Sequence, residues 1–259
     1  MSDSVLLQRD GGIATITLNR PDKRNALTLE MWESLGTLIA ELEADDSLRC
    51  LILRGAGEEA FAAGADIAEF PTLRASAAQA KAYAERMEPA LEGLKRCRHP
   101  SIAMILGACS GGGLELAALC DLRICGAGAR LGIPINRLGH ALPYAGLKAL
   151  VALIGRAGAA ELLLEGRVLS AEEALARGLV QRVLPDAEVE TEVLATAARI
   201  AAGAPVAARI HKACLERLDD PRPLTPEEAD APYAACDSAD YREGVAAFME
   251  KRRPRFEGR

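Results

Sequence analysis

The sequence predicts an α/β fold with a helical C-terminal extension, and three observations support this prediction. Short β-favouring runs alternate with helix-like patterns up to about residue 185, which is typical of an α/β core. Beyond about residue 188 the chain contains only helix-like patterns, interrupted by prolines. Half of the 259 residues are hydrophobic, which suffices for one large domain or one domain with a helical appendage.

The N-terminal elements follow from side-chain periodicity and turn residues. Two β-favouring runs, 5–9 and 13–18, flank Asp10-Gly-Gly12 and predict a hairpin. Thr28 precedes an apolar-periodic stretch and is expected to begin a helix that ends near Ala44. The next two elements are a strand and a long helix, at residues 48–54 and 75–97.

The rest of the chain is predicted in the same way. We expect a buried strand over 101–106, followed by a glycine turn and a helix over 112–119. A strand over 122–125 and two helices, over 143–154 and 157–164, come next. Ser170-Ala-Glu-Glu173 is a capping box, and Gly178 is a helix stop before a strand over 179–184. The C-terminal helices should break at Ala204-Pro205, at Asp220–Pro223 and before Pro254.

Composition excludes several classes of function. A net charge of −6 disfavours nucleic-acid binding, and the longest uncharged run, 101–114, is too short and glycine-rich to span a membrane. The N-terminus lacks signal-peptide features, and the seven cysteines form no C-x-x-C pair, so we expect a reduced, cytoplasmic protein. No H-x-x-H metal motif and no glycine-rich nucleotide motif is present, so neither kind of site is expected.

The stretch "CSGGGLELAALCD", residues 109–121, places one acid, Glu115, inside an apolar run. Burying an unpaired carboxylate is costly, so such a residue is usually paired, protonated or functional. Gly111-Gly-Gly113 at the start of a helix exposes N–H groups at the positive end of the helix dipole. The stretch therefore predicts an anion-stabilising site with an acid beside it.

Two further stretches have both an ordinary and a functional interpretation. In "FAAGADIAEF", residues 61–70, Asp66 is a candidate helix N-cap, while the small Ala63-Gly64-Ala65 would let a ligand reach backbone donors of the oxyanion-hole type. In "NRPDKRNAL", residues 19–27, Lys23 and Arg24 are either solvated turn residues or contacts for ligand phosphates. Charge alone favours the solvated turn.

Five segments together resemble the crotonase family of enoyl-CoA hydratases and isomerases: "NRPDKRNAL", "FAAGADI", "GGGLELAALCDLRI", "GRVLSAEEALARGLVQRV" and "EGVAAFMEKRRPRF". They occur in the family's order and at its spacing over nearly the whole chain. The resemblance implies a crotonase-type spiral core of ββα units with an acyl-CoA site over residues 1–195. It also implies a C-terminal helical trimerisation region over residues 196–259.

The resemblance assigns catalytic roles to three residues. It implies that the thioester carbonyl of an acyl-CoA lies between the backbone N–H groups of Ala65 and Gly112, which stabilise an enolate-like anion. Glu115 matches the first of two glutamates in hydratases of this family, where it orients and deprotonates the attacking water. An apolar pocket raises the pKa of a carboxyl towards neutrality, which suits a general base.

The resemblance also implies a binding path for CoA and an oligomer. Lys23 and Arg24 become phosphate contacts, and Phe248 and Lys251 match positions that reach the CoA of a neighbouring subunit. A homotrimer or a dimer of trimers is implied, and no cofactor is expected beyond the CoA of the substrate. The other predicted substrate contacts line the adenine and pantetheine path or adjoin the oxyanion hole: Ala26, Ala63, Asp66, Ile67 and Gly111.

The sequence departs from the family at the second glutamate. That residue should follow the proline of a Pro-Glu-x-x-x-Gly segment, but Ile135 follows Pro134 here, and Asn136 cannot transfer a proton as an acid does. Because the second acid is the base of many family isomerases, Ile135 weakens an isomerase assignment more than a hydratase assignment. His140 is a candidate replacement, or else an ordinary loop histidine.

The leading hypothesis is an enoyl-CoA hydratase that uses one glutamate as both acid and base. The alternatives are another crotonase-fold reaction, namely isomerisation, decarboxylation or thioester hydrolysis, and an acyl-CoA-binding protein with little catalysis. A Ser110–His140 nucleophilic hydrolase is less favoured, because no G-x-S-x-G elbow is present.

Overall fold

The structure, a computed structural model, describes residues 3–259 and confirms the predicted α/β class. The first two residues of the predicted core lie outside the described residues. The strands are β1 (Val5–Asp10), β2 (Ile13–Leu18), β3 (Cys50–Gly55), β4 (Ala60–Ala62), β5 (Ser101–Ile105), β6 (Ala108–Ser110), β7 (Leu122–Gly126), β8 (Arg130–Gly132), β9 (Val168–Ser170) and β10 (Arg182–Leu184). The helices are α1 (Leu29–Glu43), α2 (Phe70–Leu73), α3 (Ala77–Arg96), α4 (Gly112–Leu119), α5 (Tyr144–Ala160), α6 (Ala171–Ala176), α7 (Val189–Ala201), α8 (Pro205–Arg217), α9 (Pro226–Asp230) and α10 (Ala239–Met249).

Within residues 3–259 the strands form two sheets, of six and four strands. The larger sheet has the order β1-β2-β3-β5-β7-β10 and is parallel except for the β1–β2 hairpin. The smaller sheet has the order β4-β6-β8-β9 and is parallel except between β8 and β9. Because β3 and β4, β5 and β6, and β7 and β8 are consecutive, each turn of the chain adds one strand to each sheet. This arrangement is the spiral that the resemblance implies.

Local sequence signals account for the ends of several elements. The hairpin turns at Gly11, whose φ of 54° is a left-handed conformation that glycine adopts easily. The side chain of Thr28 accepts a hydrogen bond from the Met31 N–H and caps α1, as predicted. The capping box of Ser170 and Glu173 is present, and Gly178, at a φ of 77°, follows α6.

In the middle of the chain the structure differs from the predicted elements at the smaller sheet and agrees with them at α5. The four short strands of the smaller sheet were not predicted, because strands of three residues are too short to show an alternating pattern. The two helices expected at 143–154 and 157–164 are both present as the two halves of α5, which is interrupted at Gly155, and the second half continues into a π-helical turn over Glu161–Glu165. Gly155 has a φ of 69°, so the predicted break lies where the sequence placed it.

The C-terminal helices have two different environments. The apolar residues Val189, Val193 and Ala197 of α7 are buried with residues of the larger sheet. The predicted boundary between residues 195 and 196 therefore falls inside a helix that packs on the core, and the trimerisation role of 196–259 stays a prediction. No single helix within residues 3–259 is long and apolar enough to cross a membrane; one consecutive pair, Asp186–Ala201 and Pro205–Arg217, meets the criteria together but is bent by 106°.

Candidate active site

A cavity of about 370 Å³ lies between α3, the N-terminus of α4 and the segment that leads into α5. It brings together residues that are far apart in the sequence. Among the residues singled out from the sequence, the following line it: Ala63, Ala65, Ile67, Ser110, Gly111, Gly112, Glu115, Ile135 and His140.

One end of the cavity is formed by backbone, where the loop after β4 meets the start of α4. Gly64 has a φ of 102° and Gly111 a φ of 50°, so both adopt conformations that favour glycine. A Cβ atom on Gly64 would lie 3.1 Å from the Ser110 carbonyl oxygen and 3.6 Å from the Gly112 nitrogen. The glycines therefore let the two backbone segments approach closely, which places Ala65 near Gly112.

Within residues 3–259 the N–H groups of Ala65 and Gly112 donate no hydrogen bond. Leu27 pairs with the backbone on either side of Ala65, because its N–H donates to Gly64 O and its carbonyl accepts from Asp66 N, both at 2.8 Å. The N–H of Ala65 must point away from Leu27. Gly112 begins α4, where an N–H has no intrahelical acceptor. Neither N–H has a backbone or side-chain acceptor in the part of the chain that the structure describes. We call this pair of amides the amide end of the cavity.

Glu115 lies in the first turn of α4, beside these amides. Burial raises the pKa of Glu115 to about 7, and the positive charge of Arg74 opposes that rise. Its carboxylate has no hydrogen-bond partner among residues 3–259. Gly146 of α5 makes room for it, since a Cβ atom there would lie 2.6 Å from Oε1. A carboxyl group in this environment exchanges protons near neutral pH.

The buried Arg123 fixes the opposite end of α4. Its guanidinium donates hydrogen bonds to the carbonyl groups of Ala117 and Cys120 at the end of the helix, and to Leu179 O. A cation on the last carbonyls of a helix satisfies acceptors that have no intrahelical donor. The helix that carries Glu115 is therefore anchored at its far end.

The position of the expected second acid is apolar. Ile135 lies in a 3₁₀ turn over Ile135–Leu138, and its side chain lines the cavity. The Asn136 side chain points elsewhere, because its Nδ2 donates to Leu164 O at 3.2 Å. Neither residue places an acid in the cavity, and the alignment of Ile135 with the missing glutamate stays a prediction.

His140 lines the cavity but is engaged by an arginine that the sequence did not single out. Nη2 of Arg74 lies 2.7 Å from Nε2 of His140. An arginine can only donate, so Nε2 accepts and the imidazole is neutral. Burial and the neighbouring Arg74 both lower the pKa of His140. No hydrogen bond joins His140 to Ser110 within the described chain, so the geometry adds no support for a Ser110–His140 hydrolase.

Arg74 also contacts two aromatic rings. Its guanidinium carbon lies 4.4 Å from the ring centroid of Phe70 and 5.0 Å from that of Tyr83. Together with His140 these residues form a second region of the cavity, which we call the guanidinium end. Of the four residues at this end, the sequence singled out only His140.

The remaining predicted CoA contacts lie outside the cavity lining. Lys23 and Arg24 are exposed in the turn after β2, where Arg24 lies 3.9 Å from Glu59. Asp66 caps the 3₁₀ turn that follows it by accepting from Ala68 N, and it pairs with Arg20 at 2.9 Å. Ala26 lies in the loop that contains Lys23 and Arg24, where its carbonyl accepts a hydrogen bond from Arg20. Their predicted role in CoA binding stays a prediction.

Phe248 and Lys251 lie in a different place, at the end of α10. Phe248 is 82% exposed and lines an apolar groove of about 350 Å³ together with Tyr241, Met249 and Phe256. This position fits a role towards a neighbouring subunit, which also stays a prediction. Within residues 3–259 no cluster of His, Cys, Asp or Glu side chains is arranged to hold a metal ion.

Comparison with known proteins identifies similar chains. The family model described as enoyl-CoA hydratase/isomerase matches residues 8–259. A crystal structure of an enoyl-CoA hydratase/carnithine racemase from Magnetospirillum magneticum is 50% identical, with a TM-score of 0.98 over 100% of this chain and 97% of that chain. The short-chain-enoyl-CoA hydratase of Clostridium acetobutylicum is 32% identical over 97% of this chain and 96% of that protein. The crotonyl-CoA hydratase of Syntrophomonas wolfei is 32% identical over 98% of both chains.

Proposed function

Because the chain belongs to the enoyl-CoA hydratase/isomerase family, we propose that it adds water across the double bond of a 2-enoyl-CoA thioester. The observation that carries this proposal is Glu115, an unpartnered carboxyl with a pKa of about 7, beside the two free amides of Ala65 and Gly112. The names of the relatives support the same reaction.

The proposed reaction uses the amide end for charge and Glu115 for protons. The thioester oxygen accepts hydrogen bonds from Ala65 and Gly112, which form an oxyanion hole. Ionised Glu115 takes a proton from water while the water oxygen bonds to the β-carbon, and the double-bond electrons move onto the thioester as an enolate. The two amides stabilise that negative charge. Protonated Glu115 then delivers the proton to the α-carbon, so atoms and charge balance.

A single acid makes this route slower than one with two acids. Ile135 cannot deliver the α-proton, so Glu115 must release and return a proton in one cycle. Its pKa near 7 suits both duties at neutral pH, because the ionised and protonated forms are then similarly populated. Ile135 disfavours isomerisation more, since the missing acid is the usual base for that reaction.

The CoA portion is proposed to bind at the predicted path, with Lys23 and Arg24 on its phosphates and Ala26, Ala63, Asp66 and Ile67 along its length. Basic side chains bind phosphate oxygens as charges or through forked hydrogen bonds. No cofactor beyond the CoA of the substrate is proposed.

We also propose a homotrimer, or a dimer of trimers, in the cytoplasm. The apolar groove at α10, with Phe248 largely exposed, supports contact with another copy of the chain. All seven cysteines lie within the described residues and are free thiols, which suits a reducing compartment. Light scattering would test the assembly, and a monomeric mass would contradict it.

Hydration of crotonyl-CoA, followed by loss of the enoyl-thioester absorbance, tests the proposal. Glu115→Gln should lower kcat by about 10³-fold, because it removes the proton-transfer group. Glu88→Gln is the matched control, since Glu88 is an exposed acid at the rim of the same cavity. Equal rates for Glu115→Gln and the wild type would reject Glu115 as the base, and no hydration of any 2-enoyl-CoA would reject the function.

A further inference from the structure

Arg74 is a half-buried arginine in the proposed acyl cavity that has no acidic partner. No carboxylate lies within 4 Å of its guanidinium anywhere in residues 3–259, whereas Arg20, another partly buried arginine, pairs with Asp66 at 2.9 Å. Burying a guanidinium without a counter-charge is costly. The cavity therefore holds a positive charge that the described chain leaves unbalanced at contact distance.

The surroundings hold this guanidinium in place. It stacks on Phe70 and Tyr83 and donates one hydrogen bond to His140. Of its five N–H groups, only this one has an acceptor in the described chain. An arginine fixed on aromatic faces with free N–H groups is pre-organised for the forked binding of a carboxylate.

Other charges around the cavity do not neutralise Arg74. Lys81 and Glu85 pair with each other at 3.8 Å on the exposed side of α3, and Glu92 pairs with Arg96 at 3.3 Å. Glu88 also lines the cavity, but it is exposed and forms no ion pair with Arg74 in the described chain. Glu115 interacts electrostatically with Arg74 but makes no contact pair with it. A ligand carboxylate would supply the missing partner.

We propose that the acyl group of the substrate carries a carboxylate, which Arg74 binds at the guanidinium end while the thioester lies at the amide end. The substrate class is thus an unsaturated dicarboxylic acid held as a mono-CoA thioester. This inference rests on the proposed function for the position of the thioester. Neutral His140 accepts one N–H of Arg74 and leaves the others for the ligand.

Binding of unreactive thioesters tests the inference without turnover. Adipyl-CoA and hexanoyl-CoA have acyl chains of equal length and differ in the terminal carboxylate. Calorimetry should give a Kd for adipyl-CoA at least about tenfold lower, as expected for a charge-assisted forked contact. Glutaryl-CoA with pentanoyl-CoA, and pimelyl-CoA with heptanoyl-CoA, extend the comparison to shorter and longer chains.

Variants of Arg74 test whether this residue causes the preference for the carboxylated thioester. Arg74→Gln should remove the preference for the carboxylated thioester, and Arg74→Lys, which keeps the charge but loses the fork, should retain part of it. Arg137→Gln is the control, because Arg137 is an exposed cation near the cavity that does not line it. It changes the net charge equally and should leave the ratio of the two Kd values unchanged.

Turnover gives a second readout. For 2,3-didehydroadipyl-CoA and trans-2-hexenoyl-CoA, the ratio of kcat/KM values should fall by about tenfold or more in Arg74→Gln. The ratio is the proper measure, because any effect of Arg74 on the pKa of Glu115 alters both rates alike.

Three outcomes overturn the inference. One is the absence of any preference for a carboxylated thioester at every chain length. Another is a preference that survives Arg74→Gln. The third is an equal loss of affinity for free CoA and for both thioesters, which would place Arg74 on a CoA phosphate instead. Failure of all hydration with the binding preference intact would reject the proposed function alone.

Discussion

The two ends of the cavity are built in different ways. The amide end consists of backbone groups from two glycine-containing turns, and its acid follows three residues after Gly112 on the same helix. The guanidinium end consists of side chains from three separate segments, represented by Phe70, Tyr83 and His140 around Arg74. Gly112 and Glu115 are therefore encoded within one short stretch, whereas Ala65 and the neighbours of Arg74 come together only on folding.

This difference separates what a family shares from what a member selects. Backbone amides can stabilise the oxyanion of any thioester, whatever its acyl group. In the proposed complex the guanidinium end contacts the acyl part of the substrate, so substitutions there should change the choice of substrate. Experiments that alter one end at a time can test whether the two functions are separable.

The largest expected effect comes from disturbing the amide end. In Gly113→Ala the new Cβ would lie 2.6 Å from the Ala62 carbonyl oxygen, so α4 and β4 must move apart. This shift carries the Gly112 amide away from Ala65, and kcat for crotonyl-CoA should fall by about 10²-fold, as for loss of one oxyanion donor.

The control for this variant is Gly203→Ala, at the end of α7 and remote from the cavity, where the new Cβ would meet only Ile200 O at 3.3 Å. Circular dichroism should show both variants folded. A folded Gly113→Ala protein with full activity would break the proposed link between this close contact and the amide pair.

The second effect is the pH dependence of activity. Ionised Glu115 is the active form in the proposed reaction, and its pKa is about 7. Below pH 7 kcat/KM should therefore fall about tenfold for each pH unit. In Arg74→Gln the decline should begin at a higher pH, because the charge that lowers the pKa of Glu115 is gone. A profile that stays flat from pH 8 to pH 5 contradicts Glu115 as the base.

The sequence predicted the amide end and missed the guanidinium end for a physical reason. Gly112 and Glu115 lie within one short stretch, so a single turn and helix fix their relative positions, whereas Ala65 is brought beside them only by the fold. The sequence neighbours of Arg74 are Leu73 and Ala75, and an arginine between such residues is ordinary in a surface segment. Its partners are known only when α3 and the loop at His140 are brought together.

The length of each local sequence pattern also explains which parts of the fold were predicted. The long helices and the strands of the larger sheet were predicted, because their apolar periodicity extends over enough residues. The smaller sheet was missed, and it is this sheet that brings the loop after β4 beside the start of α4. The resemblance supplied the spiral, which local periodicity could not.

A smaller effect is expected from restoring the second acid. Ile135→Glu places a carboxyl on the cavity wall where the resemblance implies the second acid, and this carboxyl could deliver the α-proton. Hydration of crotonyl-CoA should rise by about tenfold, which is below the usual range for a general acid because two acids in one cavity also raise each other's pKa. Ile135→Gln is the isosteric control and should show no gain. A lower rate in a folded Ile135→Glu protein would contradict the alignment of Ile135 with the missing acid.

The smallest expected effect concerns stability, and it sharpens the contrast between the two ends. The pKa of Glu115 is raised from 4.5 to about 7 in the folded protein, so its ionised form is disfavoured by folding. The cost is absent below about pH 4.5, grows as the pH rises to 7 and is complete above it. Each pKa unit corresponds to 1.36 kcal/mol, and partial solvent access reduces the total to about 2 kcal/mol.

Glu115→Gln should therefore unfold in urea with a free energy about 2 kcal/mol higher than the wild type at pH 8, and with an equal free energy at pH 4.5. A Glu115→Gln protein no more stable than the wild type at pH 8 would show that water, and not the protein interior, surrounds this carboxylate.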